Sequence, residues 1–244
     1  MTRLQHATSA NGLLRRLTPG DFDRLAPDLR PVEVDLLDLL VAPGEPVTTV
    51  YFPESGYGSV LAVGNGGGGG GGGGGIEIGL IGREGVIGAA PILLDVDRTP
   101  HRTLVQQAGT MLSLPAAALA EAVARSETLR RFLLRYVHVQ GLQVASTAFS
   151  NATYTIDVRL ARWLLMCHDR ADGDEIRITH DFMAMMLGVQ RASATIAVQT
   201  LEGNGLIRAQ RGRVTIRDRA RLLEMADGSY GSAEAEYARL IATP

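Results

Sequence analysis

Residues 116–150 contain no proline and one internal glycine, Gly141, and no other stretch of this chain restricts its fold as strongly. An interior proline would remove a backbone donor and clash with the preceding turn, so this run, opened by Pro115, predicts one long helix. Leu134, Val137, Gly141, Val144 and Ala148 follow the a/d spacing of a coiled-coil seam, while Leu129, Phe132, Tyr136 and Val139 form a second stripe. A helix with two apolar faces must bury both. The economical arrangement sets the second stripe on the chain's own neighbouring domain and the seam on a second copy of itself. The seam residues are therefore the expected dimer interface; the alternative is a helix buried within one chain.

The texture differs on either side of this run. Leu14, Leu17, Phe22, Leu25 and Leu29 have helical spacing interrupted by Thr18-Pro19-Gly20, which predicts a short helix, a turn and another helix. From Val32 to about Leu114, short aliphatic and β-branched runs alternate with turn signals such as Ala42-Pro43-Gly44, Ser55-Gly56 and Gly85 to Gly88. That pattern predicts a compact antiparallel β domain. The ten glycines Gly66–Gly75 have no side chains to pack and are expected to be a flexible hairpin loop without a function of their own.

After the long run, Asn151-Ala152-Thr153 is the expected break. A helix follows from about Thr155 to Arg170, with Val158, Leu160, Ala161, Leu164 and Leu165 inward, ended by Asp172-Gly173-Asp174. Thr179 is a good N-cap for a short helix, His180 to Leu187, whose expected buried side is Phe182, Met185 and Met186. Gly188 can supply the positive φ of a tight turn. A second helix runs from Gln190 to about Glu202, with Ala194, Ala197, Val198 and Leu201 facing the core, and Gly203-Asn204-Gly205 stops it. Leu206-Ile207 and Val214-Thr215-Ile216 then form a hairpin around Arg211-Gly212-Arg213. Periodicity alone predicts a winged helix-turn-helix.

The net charge of −2 hides an asymmetry. Between Arg177 and Arg221 lie eight arginines against three acids, Asp181, Glu202 and Asp218, a local excess of five positive charges. Phosphate binding depends on the local field, so this segment is a candidate nucleic-acid footprint, with a merely solvated charged face as the alternative. The single cysteine, Cys167, excludes an intrachain disulfide and a cluster held by four cysteines of one chain. A small buried cysteine, with Trp163 as a core residue on the same helix, is the simpler reading than a haem site at Cys167 and His168. No apolar stretch reaches the roughly 18 residues that span a bilayer, and the start lacks a signal-peptide core, so a cytoplasmic protein with no membrane partner is expected. His6, His101, His138, His168 and His180 lack ligand spacing, and no nucleophile–base pair or phosphate-cradling loop is found. An enzyme is not expected.

The Leu187-Gly188-x-x-Arg191 step, the Leu201-Glu202-x-x-Gly205-Leu206-Ile207 run and the helix Arg159 to Leu165 resemble the Crp/Fnr family of bacterial transcription regulators. In the front half, Val50 to Gly56 and Ile76 to Gly88 resemble the family's β-roll. The resemblance covers nearly the whole chain. It implies an α+β protein with a cyclic-nucleotide-binding-domain-like antiparallel β-roll in residues 1–115, a dimerisation helix in 116–150 and a winged helix-turn-helix in 151–244. It further implies a homodimer that reads double-stranded DNA through the helix 190–202, with RNA polymerase as a further partner if the protein activates.

By this resemblance Arg191 would contact guanine O6 and N7, the alternative for it being a surface ion pair. Thr179, His180, Gln190 and Ser193 fall where the family holds phosphates, and the wing arginines Arg211 and Arg213 complete the basic edge. The chain departs from the family at Ala192, commonly acidic, and at Ile196, where a second base-reading polar group would stand. Ala192, Ile196 and Gln199 lie opposite the core face, so contacts to thymine methyls and a different operator are expected.

Family members that bind a cyclic nucleotide use a Gly-Glu-Leu turn and an Arg-Ser-Ala step. Here those regions read Gly88-Ala89-Ala90-Pro91 and Arg98 to Leu104, so the ribose carboxylate is missing and only Arg102-Thr103 remains of the second. Neither a cyclic nucleotide, an iron–sulfur cluster nor any other cofactor is expected, and no effector can be named. The competing hypothesis is a small-molecule sensor with a degenerate DNA module.

Overall fold

The computed structural model describes residues 6–64 and 75–242. The expected hairpin loop at Gly66–Gly74 lies outside the described residues, and Gly75 opens a strand. The chain forms two compact units. One comprises the residues up to Val60, Ile81–Gly141 and those from Ala235 on; the other comprises the described part of Leu61–Leu80 together with Leu142–Glu234.

The first unit has 3-10 turns at His6–Thr8 and Leu14–Arg16, followed by helix α1 (Pro19–Leu25), capped by Thr18, whose side chain accepts from the Asp21 amide. Strands β1 (Arg30–Val34), β2 (Leu39–Val41), β3 (Thr49–Pro53), β4 (Tyr57–Val63), β5 (Gly75–Ile81), β6 (Arg102–Gln107) and β7 (Gly109–Pro115) form the roll, with helix α2 (Ala89–Leu93) between β5 and β6; the end of β4 from Leu61 and β5 up to Leu80 are counted in the second unit. One sheet has the order β1-β7-β3 with antiparallel pairing, the other β2-β6-β4-β5. Alternation along β7 shows why its strand is apolar on both sides. Leu112 and Leu114 face a core with Val50, Phe52, Leu14, Phe22 and Leu25, while Met111 faces a second core with Val34, Ile87 and Val105.

The run after Pro115 is two helices rather than one: α3 (Ala116–Arg125) and α4 (Glu127–Thr153). Ser126 is extended between them, and its hydroxyl oxygen accepts from the Leu129 amide at 3.2 Å while donating to Asp21 at 2.5 Å. An N-cap tied to a buried carboxylate restarts the helix, which is why the absence of proline misled. The Leu129, Tyr136 and Val139 stripe is buried in the first core, with Leu133 beside it and Phe132 packed against it. On the other face Leu134, Val137 and Val144 are half-buried, and Gly141 and Ala148 are exposed.

At its far end α4 runs on through the expected break at Asn151-Ala152-Thr153 and stops at Tyr154. The Thr153 hydroxyl donates back to the Phe149 carbonyl, and the Tyr154 amide bonds Ser150, so local hydrogen bonds extend the last turn.

The second unit holds α5 (Ile156–His168), β8 (Glu175–Arg177), α6 (His180–Leu187), α7 (Arg191–Gly203), β9 (Ile207–Gln210), β10 (Arg213–Ile216) and α8 (Arg219–Met225). Leu160, Ala161, Leu164 and Leu165 of α5 are buried as expected, whereas Val158 is half-buried. Cys167 is buried. The strand β8 was not foreseen; it pairs with β10 and makes the wing a three-stranded sheet, β8-β10-β9. Helix α9 (Ser232–Tyr237) and a short π-helical turn at Ala238–Ala242 end the described chain, and Ile241 is buried in the first unit's core. Among the described residues no helix is long and apolar enough to cross a membrane.

Candidate nucleic-acid interface

The interface is built from two short helices and a turn whose ends are set by local chemistry. Thr179 is extended and its hydroxyl accepts from the Phe182 amide at 3.2 Å, which starts α6 and leaves the hydroxyl proton free to donate. Gly188, at φ 64°, ends it: in this left-handed position its amide bonds the Ala184 and Met185 carbonyls, a conformation that costs glycine little. The buried side of α6 is Met183, Ala184, Met186 and Leu187; the expected Phe182 and Met185 are only half-buried. In a two-turn helix one residue of phase decides the face, and packing against α5 and α7 settles it here.

Gln190 is the N-cap of α7, extended and without a side-chain cap bond. Ala194, Ala197, Val198 and Leu201 are buried, so the opposite face turns to solvent. Arg191, Ala192 and Gln199 are exposed there, Ser193 is half-buried, and Ile196 stands 64% exposed. The outward surface is thus apolar in its middle and cationic at its start.

Arg191 is engaged in a surface ion pair, its Nε lying 3.2 Å from Asp181 Oδ1, with both side chains more than half exposed. This pair was the alternative raised for Arg191, and an exposed pair can open at little cost. His180 is less free than a phosphate contact requires. Its Nδ1 lies 3.2 Å from Thr195 Oγ1, whose own proton goes to the Arg191 carbonyl at 3.0 Å, so the ring donates through Nδ1.

The wing follows from Arg213 to Ile216 pairing with Ile207 to Gln210 around a two-residue turn, Arg211-Gly212, in which Gly212 takes φ 75°. Arg211 is exposed at that turn. Arg213 is tied down, with Nε donating to Gln210 Oε1 at 2.7 Å and a terminal nitrogen 3.3 Å from Glu175. Glu202 accepts from the Ala209 amide at 3.0 Å and so fixes the wing to the end of α7.

One of the eight arginines counted above is committed elsewhere. Arg219 bonds Asp169 at 2.5 Å and His168 Nδ1 at 2.9 Å, and the Tyr230 hydroxyl closes the same cluster on Asp169. Asp181, Thr195 and Glu202 were not singled out as site residues from the sequence. The signal available for the first two was the acid in the second position of α6 and the hydroxyl four residues after Arg191.

In the β-roll, Gly88 has φ 80° and leads into α2, so the segment Gly88-Ala89-Ala90-Pro91 presents no carboxylate. On β6, Arg102 Nε is buried without a hydrogen-bond partner among the described residues, as is Nδ1 of the neighbouring His101. Among the described residues no group of three His, Cys, Asp or Glu side chains is placed to hold a metal ion.

Residues 158–225, from α5 through α8, match the family model of the Crp-like helix-turn-helix domain. The chain is similar in fold to a Crp/Fnr-family structure from Eubacterium rectale, with a TM-score of 0.67 at 17% identity over 90% of this chain and 99% of that one. It is similar to a CRP-family transcriptional regulator of Thermus thermophilus, with a TM-score of 0.64 at 20% identity over 82% of this chain and 99% of that one. The c-di-GMP-responsive regulator CLP of Xanthomonas campestris has a TM-score of 0.63 at 17% identity, over 82% and 99% of the two chains. At these identities the likeness establishes the fold. No curated protein matches the sequence.

Proposed function

From a chain that has the Crp/Fnr fold and carries the Crp-like helix-turn-helix domain in residues 158–225, we propose a sequence-specific DNA-binding transcription regulator that reads a palindromic site as a homodimer. The observation that carries this reading is the solvent face of α7, which begins at Arg191 and stays exposed while its other face is buried. A helix presented in this way enters the major groove, where the Arg191 fork matches guanine O6 and N7. Ile196 and Ala192 then meet thymine methyls, and Thr179, Gln190, Ser193 and Arg211 approach the phosphates. His180 and Arg213 contribute less, since each has partners within the protein.

The seam of Leu134, Val137, Gly141, Val144 and Ala148 on α4 is the proposed dimer contact. A twofold pair of α7 helices places half-sites about 34–36 Å apart. The β-roll uses neither a cyclic nucleotide, for want of the carboxylate at Ala89 and Ala90, nor an iron–sulfur cluster, for want of cysteines.

A second reading, a small-molecule sensor, is favoured by Nδ1 of His101, just before β6, and Nε of Arg102, its first residue, which have no partner among the described residues and which an anionic effector would satisfy.

Selection of duplexes from a random pool with the full chain tests the first reading. A recovered palindrome whose binding weakens steeply with salt supports it. Recovery of no preferred sequence overturns it in favour of the sensor, which thermal-shift screening against small anions would then identify.

A further inference from the structure

We propose that Asp181 is a positioning residue that determines specificity, holding Arg191 in the orientation that reads a base before DNA arrives. The inference rests on the reading of α7 as the base-reading helix.

Two consecutive residues at the start of α6 hold Arg191 at both ends. Asp181 Oδ1 forms an ion pair with its Nε at 3.2 Å. His180, through Thr195 Oγ1 at 3.2 Å and on to the Arg191 carbonyl at 3.0 Å, anchors its backbone. A guanidinium has five donors in a fixed fork, so a carboxylate set beside Nε leaves the two terminal nitrogens as the edge that can meet O6 and N7 of guanine together. The pair is exposed at 69% for the arginine and 65% for the aspartate, so it adds little to the stability of the fold. Its consequence lies in the rotamers it removes from a long side chain, an entropy that would otherwise be lost on binding.

Asp181 also carries a negative charge into a surface that faces phosphates. That charge opposes binding to any duplex, whatever its sequence. The two effects have opposite signs, which separates them from general damage. Removing the charge in Asp181→Asn raises affinity for unrelated duplex DNA and lowers the preference for guanine over adenine at the contacted base pair.

The test uses the full chain, the palindrome recovered by selection with wild-type protein, the same duplex with guanine exchanged for adenine at the arginine contact, and a scrambled duplex. For Asp181→Asn the expected result is a guanine preference reduced roughly threefold to tenfold, with scrambled-duplex affinity raised about twofold or more. Asp181→Glu, which keeps the charge and the reach, restores most of the preference. In an Arg191→Ala background, Asp181→Asn changes the guanine preference no further.

An unaltered guanine preference in Asp181→Asn overturns the positioning role while leaving the DNA-reading proposal standing. Parallel losses on all three duplexes overturn it as well. A wild-type chain that selects no preferred duplex overturns the DNA reading itself, and the role of Asp181 with it.

Discussion

The indole nitrogen of Trp163 on α5 donates a 2.7 Å hydrogen bond to the Glu77 carboxylate of β5, and both residues are buried, at 3% and 4% exposure. A buried carboxylate must be compensated by donors, so this bond is part of what makes the Glu77 position tolerable within the second unit. Trp163→Phe keeps most of the apolar surface and deletes the donor. The expected cost is about 1–3 kcal/mol, read as a lower midpoint in chemical denaturation followed by circular dichroism. Glu77→Gln keeps an acceptor for the indole and should cost less; an equal cost would show that the charge, rather than the bond, is what the site uses.

Asp21 gives the first unit an acid-sensitive joint. Burial alone would raise its carboxyl, but the hydroxyls of Ser126, Thr128 and Thr18, with Arg24, outweigh burial and hold it below the usual 3.8. A carboxyl depressed in the folded state contributes stability above its unfolded value and loses it as the pH falls through the folded one. The contribution of Asp21 is therefore complete above about pH 4 and disappears below it. Asp21→Asn should flatten the acid limb of a stability–pH curve in that window. Ser126→Ala removes both a partner of Asp21 and the N-cap of α4, and should lower stability at neutral pH by about 1–2 kcal/mol.

The seam on α4 can be tested without DNA. A Cβ added at Gly141 meets nothing within 4 Å among the described residues of the single chain, so Gly141→Ala should stabilise an isolated protomer by up to about 1 kcal/mol through helix propensity. Val144→Glu places a charge in the middle of the seam and is expected to shift sedimentation from dimer to monomer, with the helical circular dichroism of the protomer retained. A wild-type chain that sediments as a monomer would remove the seam's proposed role.

The parts of this fold that were legible in the sequence are those whose signals are local. Helix α6 has its ends where Thr179 and Gly188 place them because a cap and a positive φ are each decided by one residue. The buried face of α7 was legible from Ala194, Ala197, Val198 and Leu201, spaced over about two turns of a 13-residue helix. Its two-turn neighbour was not, and Met183 took the place expected for Phe182. Strand β8 is three residues long and exists through its pairing with β10, which no local pattern announces. The interruption at Ser126 did have a local signal, a serine followed by Glu127 in the first turn, but its strength comes from Asp21, more than a hundred residues away.

The candidate site divides in the same way. Positions exposed on α7, such as Ala192, Ile196 and Gln199, follow from the helical wheel. The partners that restrain Arg191, His180 and Arg213 do not, because Asp181, Thr195 and Glu175 reach them across elements whose packing the sequence leaves unstated. The three segments implied by the resemblance also follow the chain, whereas the compact units cut across them. Ile241 in the core of the first unit and Glu77 beside Trp163 in the second are the clearest cases.

The central claim, that α7 reads base sequence through Arg191, is tested most directly by fluorescence anisotropy of the full chain on its selected palindrome and on a scrambled duplex, with wild type and Arg191→Ala compared at one fixed salt concentration. The expected result is a wild-type preference of roughly a thousandfold or more for the palindrome, and a loss of about 1–3 kcal/mol on that duplex alone when Arg191 is replaced. Equal wild-type affinity for the two duplexes, or a palindrome affinity that survives Arg191→Ala intact, would contradict it.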